Sequence, residues 1–246
     1  MTEEPILLRE DSGAIRLLTL NRPRQMNALN AALSAAIIAA VDAAEADDCV
    51  SVIVLAGNEK AFSAGADLKE AEANRNMDLD AARRHGEASG KLYEIGDRTD
   101  KPIVAAVRGY ALGGGCNLAI SADLVVAGES AVFGYPEVKI GLAATAVTPG
   151  LVHRIAPKAA FELMTLCETI TARRALELGM INRVVGDGSV LKEAMSIAGI
   201  LAGYDRRAVQ TTKRVFRNST ELTLSQSLAA ARESALLARA NNRDRK

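Results

Sequence analysis

The stretch that decides the fold is Gly109-Tyr-Ala-Leu-Gly-Gly-Gly-Cys-Asn-Leu-Ala-Ile-Ser-Ala-Asp123. The run Pro102-Ile-Val-Ala-Ala-Val107 precedes it, and its apolar, β-branched residues are typical of a buried strand. Good helix formers follow from Cys116 to Ala122, so the predicted order is strand, glycine turn and helix. The unpaired amides and the dipole at the start of such a helix favour an anion or a developing oxyanion. A close strand–helix crossing that needs small residues explains the three glycines equally well.

A second turn of the same kind lies upstream, in Ala61-Phe-Ser-Ala-Gly-Ala-Asp-Leu-Lys69. It follows residues 50–56, which are almost entirely apolar and predict a strand that is buried on both faces. Small residues again expose backbone amides at the end of a strand. Two such turns can direct two N–H donors at one carbonyl oxygen, an arrangement that contributes about 3 kcal/mol per donor in known enzymes. Two unrelated tight turns are the alternative.

The composition limits the classes of function. The chain has 246 residues, of which 49% are hydrophobic and 3% aromatic, so its core is built from Ala, Val, Leu and Ile. Lys and Arg together number 30, as do Asp and Glu, and this zero net charge argues against a general nucleic-acid binder. Residues 204–246 hold ten Lys and Arg against four Asp and Glu. This local excess suits an anionic ligand or a subunit contact, although a solvated helical face explains it more simply.

The compartment is predicted from the cysteines and the N-terminus. Cys49, Cys116 and Cys167 are odd in number and lack metal-ligand spacing, which indicates small buried residues in a reducing compartment and no metal site. Met-Thr-Glu-Glu-Pro5 lacks the basic and apolar pattern of a signal peptide. The longest apolar stretch, residues 31–41, is shorter than the roughly 20 residues that span a bilayer. We expect a cytoplasmic protein without a membrane segment.

Strand and helix patterns alternate over the first two thirds of the chain, and helices dominate the last third. We predict an α/β core over residues 1–186 and a helical C-terminal region over residues 187–246. Residues 70–84 are polar and alanine-rich, which predicts a mobile loop or a loosely held helix, and a helix is predicted over residues 87–96. The C-terminal helices carry more apolar surface than a lone helical pair needs, so they are expected to pack on another subunit.

The two turns together resemble the enoyl-CoA hydratase/isomerase (crotonase) family. The resemblance covers nearly the whole chain, with its motifs in order and at compatible spacing. The supporting motifs are Leu20-Asn-Arg-Pro23, Lys101-Pro102, Ala122-Asp123, Phe133-Gly-Tyr-Pro-Glu137, Gly141-Leu142 and Thr171-Ala-Arg-Arg-Ala-Leu-Glu-Leu-Gly179. It implies a spiral of repeated ββα units, followed by helices that build a homotrimer or a hexamer made as a dimer of trimers.

The resemblance also implies an acyl-CoA thioester as substrate, with coenzyme A arriving as part of it and no permanently bound cofactor. The thioester carbonyl would lie between the amides of Ala66 and Gly114, which would stabilise an enolate. The surrounding turn, comprising Ala64, Gly65, Asp67, Leu68 and Lys69, would run beside the CoA, together with Gly113 near the carbonyl. Lys69 is then free to meet a phosphate, and Arg24 is a second phosphate contact.

The carboxylates decide which reaction the resemblance implies. Hydratases of the family carry two glutamates, and in this chain their positions hold Asn117 and Glu137. An amide cannot act as a general base, so one carboxylate must both take and return the proton. This favours double-bond isomerisation of an enoyl-CoA with Glu137 as acid/base and Asn117 holding a water or a carbonyl. The alternatives are hydration of a 2-enoyl-CoA, a carbon–carbon bond former or decarboxylase, or a non-catalytic acyl-CoA- or RNA-binding member of the fold.

Three further residues are expected near the acyl group. Tyr110 and Tyr135 flank the two motifs and are candidates to line the acyl pocket, although core packing explains both more simply. Gly141-Leu-Ala-Ala144 is similar to dienoyl-CoA isomerases, where an aspartate follows, but Thr145 stands at that place. Thr145 is therefore expected to line the pocket or to cap a helix, and the dienoyl reaction is disfavoured. His85 and His153 match no catalytic position, so packing or surface roles are expected for them.

Overall fold

Strands and helices alternate through most of the computed structural model, which describes the backbone of residues 4–243 and the side chains of residues 4–239. In that part of the chain the strands are β1 (Leu7–Ser12), β2 (Ile15–Leu20), β3 (Val52–Ala56), β4 (Ala61–Ser63), β5 (Ile103–Val107), β6 (Tyr110–Leu112), β7 (Leu124–Gly128), β8 (Val132–Gly134), β9 (Ile170–Thr171) and β10 (Arg183–Val185). The helices are α1 (Ala31–Ala46), α2 (Leu68–Ala73), α3 (Leu79–Tyr93), α4 (Ile95–Arg98), α5 (Gly114–Ile120), α6 (Thr148–Val152), α7 (Pro157–Leu166), α8 (Ala172–Glu177), α9 (Val190–Ala202), α10 (Arg206–Glu221) and α11 (Leu224–Arg243). The predicted α/β class with C-terminal helices is confirmed.

A large sheet forms the centre of the fold, with its strands in the order β1-β2-β3-β5-β7-β10. β1 is antiparallel to β2, and the remaining pairs are parallel. Every residue of β3 and β5 is buried, as expected for a parallel sheet covered on both sides. The expectation that residues 50–56 form a strand buried on both faces is confirmed for β3.

The two faces of this sheet bury two separate apolar cores. Ile53 and Leu55 point into the larger core with α1 and α5, whereas Val52 and Val54 point into the smaller one. α9 closes the smaller core with side chains that include Val190, and so this C-terminal helix packs directly on the sheet. The boundary drawn between residues 186 and 187 stays a prediction.

A second sheet of short strands, in the order β4-β6-β8-β9, lies beside the first. Strands β3, β5 and β7 of the large sheet are each followed by a strand of this small sheet, which gives the ββ step that the resemblance implied. The sequence pattern places β4 and β6 in the two small-residue turns and does not identify β9. These strands have two or three residues each, too few for an alternating pattern to be recognised.

The charged segment before the glycine stretch is helical. Of the two alternatives for residues 70–84, a helix is present, because α3 begins at Leu79 and continues to Tyr93. The Asp78 side chain accepts a hydrogen bond from the amide of Ala81 (2.7 Å) and caps this helix. α3 ends three residues before the predicted end at residue 96, and it packs against α1.

Ion pairs account for much of the basic excess in residues 204–246. Lys213 of α10 lies 2.8 Å from Asp123, next to the large sheet. Arg214 and Arg217 both reach Asp100, at 3.2 and 3.5 Å. α10 buries no residue, so these pairs are its main attachment to the core. Within the described chain these cations serve the fold rather than forming an open anion site.

α11 is the longest helix of the described chain, with 20 residues. Neither α11 nor any other helix in residues 4–243 is long and apolar enough to cross a membrane. A trimer-forming role for the C-terminal helices stays a prediction.

Candidate active site

The two turns singled out in the sequence meet in space. Gly65, in the turn after β4, has a φ of +91°, and a Cβ placed on it would lie 2.6 Å from the carbonyl oxygen of Leu112. The same Cβ would lie 3.4 Å from the amide nitrogen of Gly114, the first residue of α5. Only glycine permits both this conformation and this approach. The pairing of β4 with β6 holds the two turns side by side.

Two backbone amides stay free where the turns meet. Leu29 bridges the first turn, because its amide donates to the carbonyl of Gly65 (2.7 Å) and its carbonyl accepts from the amide of Asp67 (3.1 Å). This bridge turns the amide of Ala66 to the other side. Within the described residues, neither the Ala66 amide nor the Gly114 amide donates a hydrogen bond. Ala66 is exposed and Gly114 is buried, so one donor comes from each of the two turns.

Glu137 lies against the glycine stretch. It follows β8 and leads into the short 3-10 turn Val138–Ile140. A Cβ placed on Gly113 would collide with Oε1 of Glu137 and would lie 3.2 Å from its Cδ. Oε2 of Glu137 is buried and has no hydrogen-bond partner among the described residues. Burial raises the pKa of this carboxyl, so it can hold a proton more readily than an exposed glutamate.

Asn117, the residue at the second acid position, is 1% exposed on α5. Its Oδ1 accepts a long hydrogen bond from the hydroxyl of Tyr135 (3.4 Å). Its carboxamide also packs on α6, where a Cβ at Gly150 would lie 2.6 Å from Nδ2. The side chain is therefore held between two elements, and as an amide it cannot exchange a proton.

Tyr135 belongs to the core and not to an open pocket. Its exposure is 0%, which corrects the expectation that it lines the acyl group and leaves the packing alternative. Burial raises the pKa of Tyr135 well above its usual value, and the pKa of the neighbouring Cys116 thiol to about 12. Both groups stay protonated at neutral pH, so this buried cluster orients Asn117 and carries no charge.

Asp67 has a structural role that the sequence did not reveal. Its carboxylate accepts hydrogen bonds from the amides of Lys69 (3.2 Å) and Glu70 (3.4 Å) and caps α2. It also pairs with Arg22 at 2.9 Å, and Arg22 donates to the carbonyl of Ala28 as well. Asp67 thus fixes the turn, and a direct substrate contact of its carboxylate is not supported.

The predicted CoA contacts lie at the surface. Leu68 (57% exposed) and Lys69 extend from the start of α2, and Ala64 is half-buried, with its amide donating to the carbonyl of Met26 (2.9 Å). Arg24 is exposed on the 3-10 turn Pro23–Gln25. Leu68 and Lys69 thus lie on the outside of the turn, where a cation can meet a phosphate, whereas Arg24 is exposed on a separate turn.

Tyr110 and Thr145 are both exposed. Tyr110 begins β6 and is 44% exposed beside the glycine stretch. Thr145 lies in the turn before α6, and the helix-capping alternative for it is wrong. Instead the neighbouring Thr148 hydroxyl, inside the helix, donates to the carbonyl of Ala144 (2.7 Å). His85 is half-buried on α3 and His153 is exposed at the end of α6.

Tyr93 is a site residue that sequence reasoning missed. It ends α3, and its hydroxyl is so close to Gly114 that a Cβ on that glycine would collide with it. Burial and the charge of Glu137 together raise the pKa of Tyr93 to about 12. No sequence motif includes Tyr93, because only the packing of α3 beside α5 brings Tyr93 to the glycines.

Comparison with known proteins agrees with this geometry. A family model described as enoyl-CoA hydratase/isomerase matches residues 10–245. A probable enoyl-CoA hydratase of Rhizobium meliloti is 39% identical over 228 residues, covering 90% of this chain and 85% of that protein. The 2,3-dehydroadipyl-CoA hydratase of Escherichia coli is 37% identical over 220 residues, covering 89% of this chain and 84% of that protein. A crystal structure of enoyl-CoA hydratase from Mycobacterium smegmatis superposes with a TM-score of 0.91 at 31% identity, over 96% of this chain and 91% of the other.

Proposed function

The chain belongs to the enoyl-CoA hydratase/isomerase family, and on that premise we propose that it moves the double bond of an enoyl-CoA with Glu137 as its single acid/base. One observation carries the proposal: the half-buried Glu137 has one buried, unpaired carboxylate oxygen beside the glycine turn, while Asn117 places an amide at the second acid position. A 1,3-proton shift needs one group that takes a proton and then returns it.

The proposed reaction starts from a 3-enoyl-CoA whose thioester oxygen accepts hydrogen bonds from the amides of Ala66 and Gly114. The Glu137 carboxylate takes a proton from C2, and the electron pair of that bond moves onto the thioester oxygen as a dienolate. The protonated Glu137 then returns the proton to C4, the double bond forms between C2 and C3, and the product is a 2-enoyl-CoA. Because burial raises the pKa of Glu137, the protonated form of this carboxyl is easier to reach between the two transfers.

The amides are proposed to supply the electrostatic part of catalysis. Backbone donors that point at the oxygen where charge develops cost no reorganisation during the reaction. Two facts support Ala66 and Gly114 in this role: both amides lack partners in the described chain, and Gly65 holds their turns together. Gly113 has a φ of +51° and no side chain, which leaves room for Glu137.

Coenzyme A is proposed to enter as part of the substrate, along the outer side of the turn 64–69. Lys69 on that turn and Arg24 on a separate one are exposed cations and would meet its phosphates, with Leu68 offering an apolar contact. Tyr110 is an exposed aromatic residue beside the glycines and would contact the acyl chain or the pantetheine arm. Thr145 is proposed only as a more distant contact.

Hydration of a 2-enoyl-CoA is the second candidate, because the relatives from Rhizobium meliloti and Escherichia coli are both described as hydratases. In that reaction Glu137 would activate the water and also return a proton to C2, while Asn117 would only orient the water. Hydratases of the family divide these two tasks between two glutamates, whereas a 1,3-proton shift needs only one acid/base, so we expect hydration to be the slower of the two reactions in this chain.

We also propose that the chain assembles as a homotrimer or as a dimer of trimers. Large apolar side chains stand exposed on the C-terminal helices, including Phe216 (70%), Leu224 (76%) and Leu237 (65%). Several large apolar side chains exposed on neighbouring helices would be covered by a contact between subunits. Light scattering after size-exclusion chromatography would measure the mass, and a monomer would contradict this part of the proposal.

The deciding experiment incubates the protein with 2-enoyl- and 3-enoyl-CoAs in deuterated water. Double-bond migration with deuterium at C2 or C4 supports isomerisation, whereas a 3-hydroxyacyl-CoA product supports hydration. Glu137→Gln is expected to abolish both reactions while acyl-CoA still binds. Tight binding of acyl-CoA by the wild-type protein without any turnover would contradict both candidates and favour a non-catalytic binding protein.

A further inference from the structure

Tyr93 contacts the proposed thioester site from α3, an element that belongs to neither of the two turns. Its ring packs against the larger apolar core at the end of α3. Its hydroxyl oxygen lies where a Cβ of Gly114 would be, and its Cζ would lie 3.4 Å from that Cβ. The next nearest atom is Cδ1 of Leu29, which would lie at 3.5 Å. The phenol is thus a polar group in direct contact with Gly114.

The hydroxyl of Tyr93 donates to no group in the described part of the chain, and it is not among the fully buried unpaired atoms there, so it keeps some exposure to solvent. The buried hydroxyl of Tyr135, by contrast, reaches Oδ1 of Asn117. A tyrosine whose ring is packed and whose hydroxyl is wet can exchange water for a polar atom of a ligand. The phenol of Tyr93 is therefore available to a substrate oxygen beside the proposed oxyanion donor.

The chemistry of the phenol fits a donor rather than a base. Burial and the nearby charge of Glu137 both raise the pKa of Tyr93, to about 12, so the O–H stays intact at neutral pH. Glu137 and Tyr93 also lie against consecutive glycines, Gly113 and Gly114. A substrate that meets the carboxylate at its α-carbon would bring its carbonyl oxygen towards the phenol.

We propose that Tyr93 is a further catalytic residue, whose O–H donates a hydrogen bond to the thioester oxygen beside the amide of Gly114 as negative charge develops there. The inference rests on the proposed function, since it needs an acyl-CoA at this site. It adds a side-chain donor to the two amides. Loss of one such donor in other enzymes lowers kcat by about 100-fold or more.

The first test is Tyr93→Phe, which keeps the ring in the core and removes only the hydroxyl. We expect kcat for the enoyl-CoA reaction to fall by about 100-fold while KM changes little, because the bond strengthens in the transition state. Tyr204→Phe is the matched control, since Tyr204 is 61% exposed and follows α9, which packs in the smaller core, whereas Tyr93 packs against the larger one. Thermal unfolding of both variants would check that each stays folded.

The second test measures the enolate directly with acetoacetyl-CoA, whose bound form can lose its C2 proton and absorb in the ultraviolet as the enolate. A donor on the enolate oxygen favours ionisation, so Tyr93→Phe is expected to raise the pH of half-ionisation by about one unit or more, which is roughly tenfold in the equilibrium. Tyr204→Phe should leave this pH unchanged. A residue that only packs against Gly114 would leave it unchanged in Tyr93→Phe as well.

The outcomes separate this inference from the proposed function. An unshifted enolate ionisation and wild-type kcat in Tyr93→Phe would overturn the role of Tyr93, even if Glu137→Gln is inactive. An inactive wild type that still ionises acetoacetyl-CoA with the Tyr93 dependence would overturn the proposed reaction but keep the role of Tyr93. Failure of the wild type to bind acetoacetyl-CoA would overturn both.

Discussion

The carboxylate of Glu137 occupies the space that a side chain at Gly113 would need. A Cβ on Gly113 would collide with Oε1 and would lie 3.2 Å from Cδ. A side chain at residue 113 and the present position of the Glu137 carboxylate are therefore sterically incompatible. Gly113 also has a φ of +51°, a conformation that L side chains rarely adopt. The glycine thus sets the position of the acid/base as much as it shapes the turn.

Gly113→Ala is accordingly expected to lower turnover by at least about 100-fold by displacing Glu137. Gly141→Ala is the matched control, because Gly141 has a φ of +78° and no atom within 4 Å of its Cβ position. Both variants carry backbone strain, but only the first carries the collision. Equal loss of activity in the two, at equal thermal stability, would mean that strain and not displacement matters.

The stability of the fold is expected to depend on pH through Glu137. Burial raises its folded pKa above the ordinary value of 4.5, so the stability associated with the protonated form is present below that value and is lost as the pH rises through the folded pKa. Glu137→Gln avoids this loss. Its melting temperature should exceed that of the wild type at pH 7, and the difference should shrink towards pH 4.

Glu129→Gln provides the control for that series, since Glu129 is exposed after β7. Its melting temperature should follow that of the wild type across the whole pH range. If the melting temperature of Glu137→Gln also followed that of the wild type, burial of the Glu137 carboxylate would not destabilise the fold. The proposal that Glu137 is easily protonated would then lose its support.

A second carboxylate at residue 117 should shift the reaction towards hydration. Asn117→Glu restores the pair of acids that hydratases of the family use, and we expect the ratio of 3-hydroxyacyl-CoA to isomerised product to rise at least about tenfold. Asn117→Gln has the same length without the charge and should leave the ratio near that of the wild type. Both changes crowd Gly150, whose Cβ position lies 2.6 Å from Nδ2, so the ratio of products is compared rather than the total rate.

Arg22 is expected to affect acyl-CoA binding indirectly, by holding the turn that carries Ala66 and without contacting the substrate. It pairs with Asp67 at 2.9 Å, and Asp67 caps α2 at the end of the turn that carries Ala66. Arg22→Gln should loosen this turn, raising KM for acyl-CoA and lowering kcat. Arg75→Gln is the control, because the pair of Arg75 with Glu72 is exposed and joins residues only three positions apart at the end of α2. Similar kinetics in the two variants would show that the turn is rigid without Arg22.

The sequence pointed to those parts of the site that depend on local sequence patterns. The two small-residue turns follow buried apolar strands, and the structure brings them together through Gly65. Glu137 and Asn117 were found because the family motifs fix their distance from the glycines along the chain. Lys101, quoted only as part of a motif, is 2% exposed, and its ammonium donates to the carbonyls of Ala44 and Asp47 (2.6 Å each) at the end of α1.

What the sequence missed depends on contacts between distant segments. Tyr93 carries no motif, and only the docking of α3 brings its hydroxyl to Gly114. Arg22 was quoted only as part of a motif, because the sequence does not show that it reaches Asp67, 45 positions further along the chain. Tyr135 was a candidate for the acyl pocket, but it directly follows β8 and is fully buried in the larger apolar core.

The attachment of α10 makes part of the protein sensitive to ionic strength. The helix buries no residue and is held largely by pairs such as Lys213–Asp123 and Arg214–Asp100. Dissolved salt shortens the Debye length from about 8 Å at 0.15 M to about 3 Å at 1 M, which weakens the exposed pairs first. We therefore expect α10 to unfold locally at lower free energy than the large sheet. Amide hydrogen exchange in α10 should accelerate with added salt while the amides of β5 stay protected.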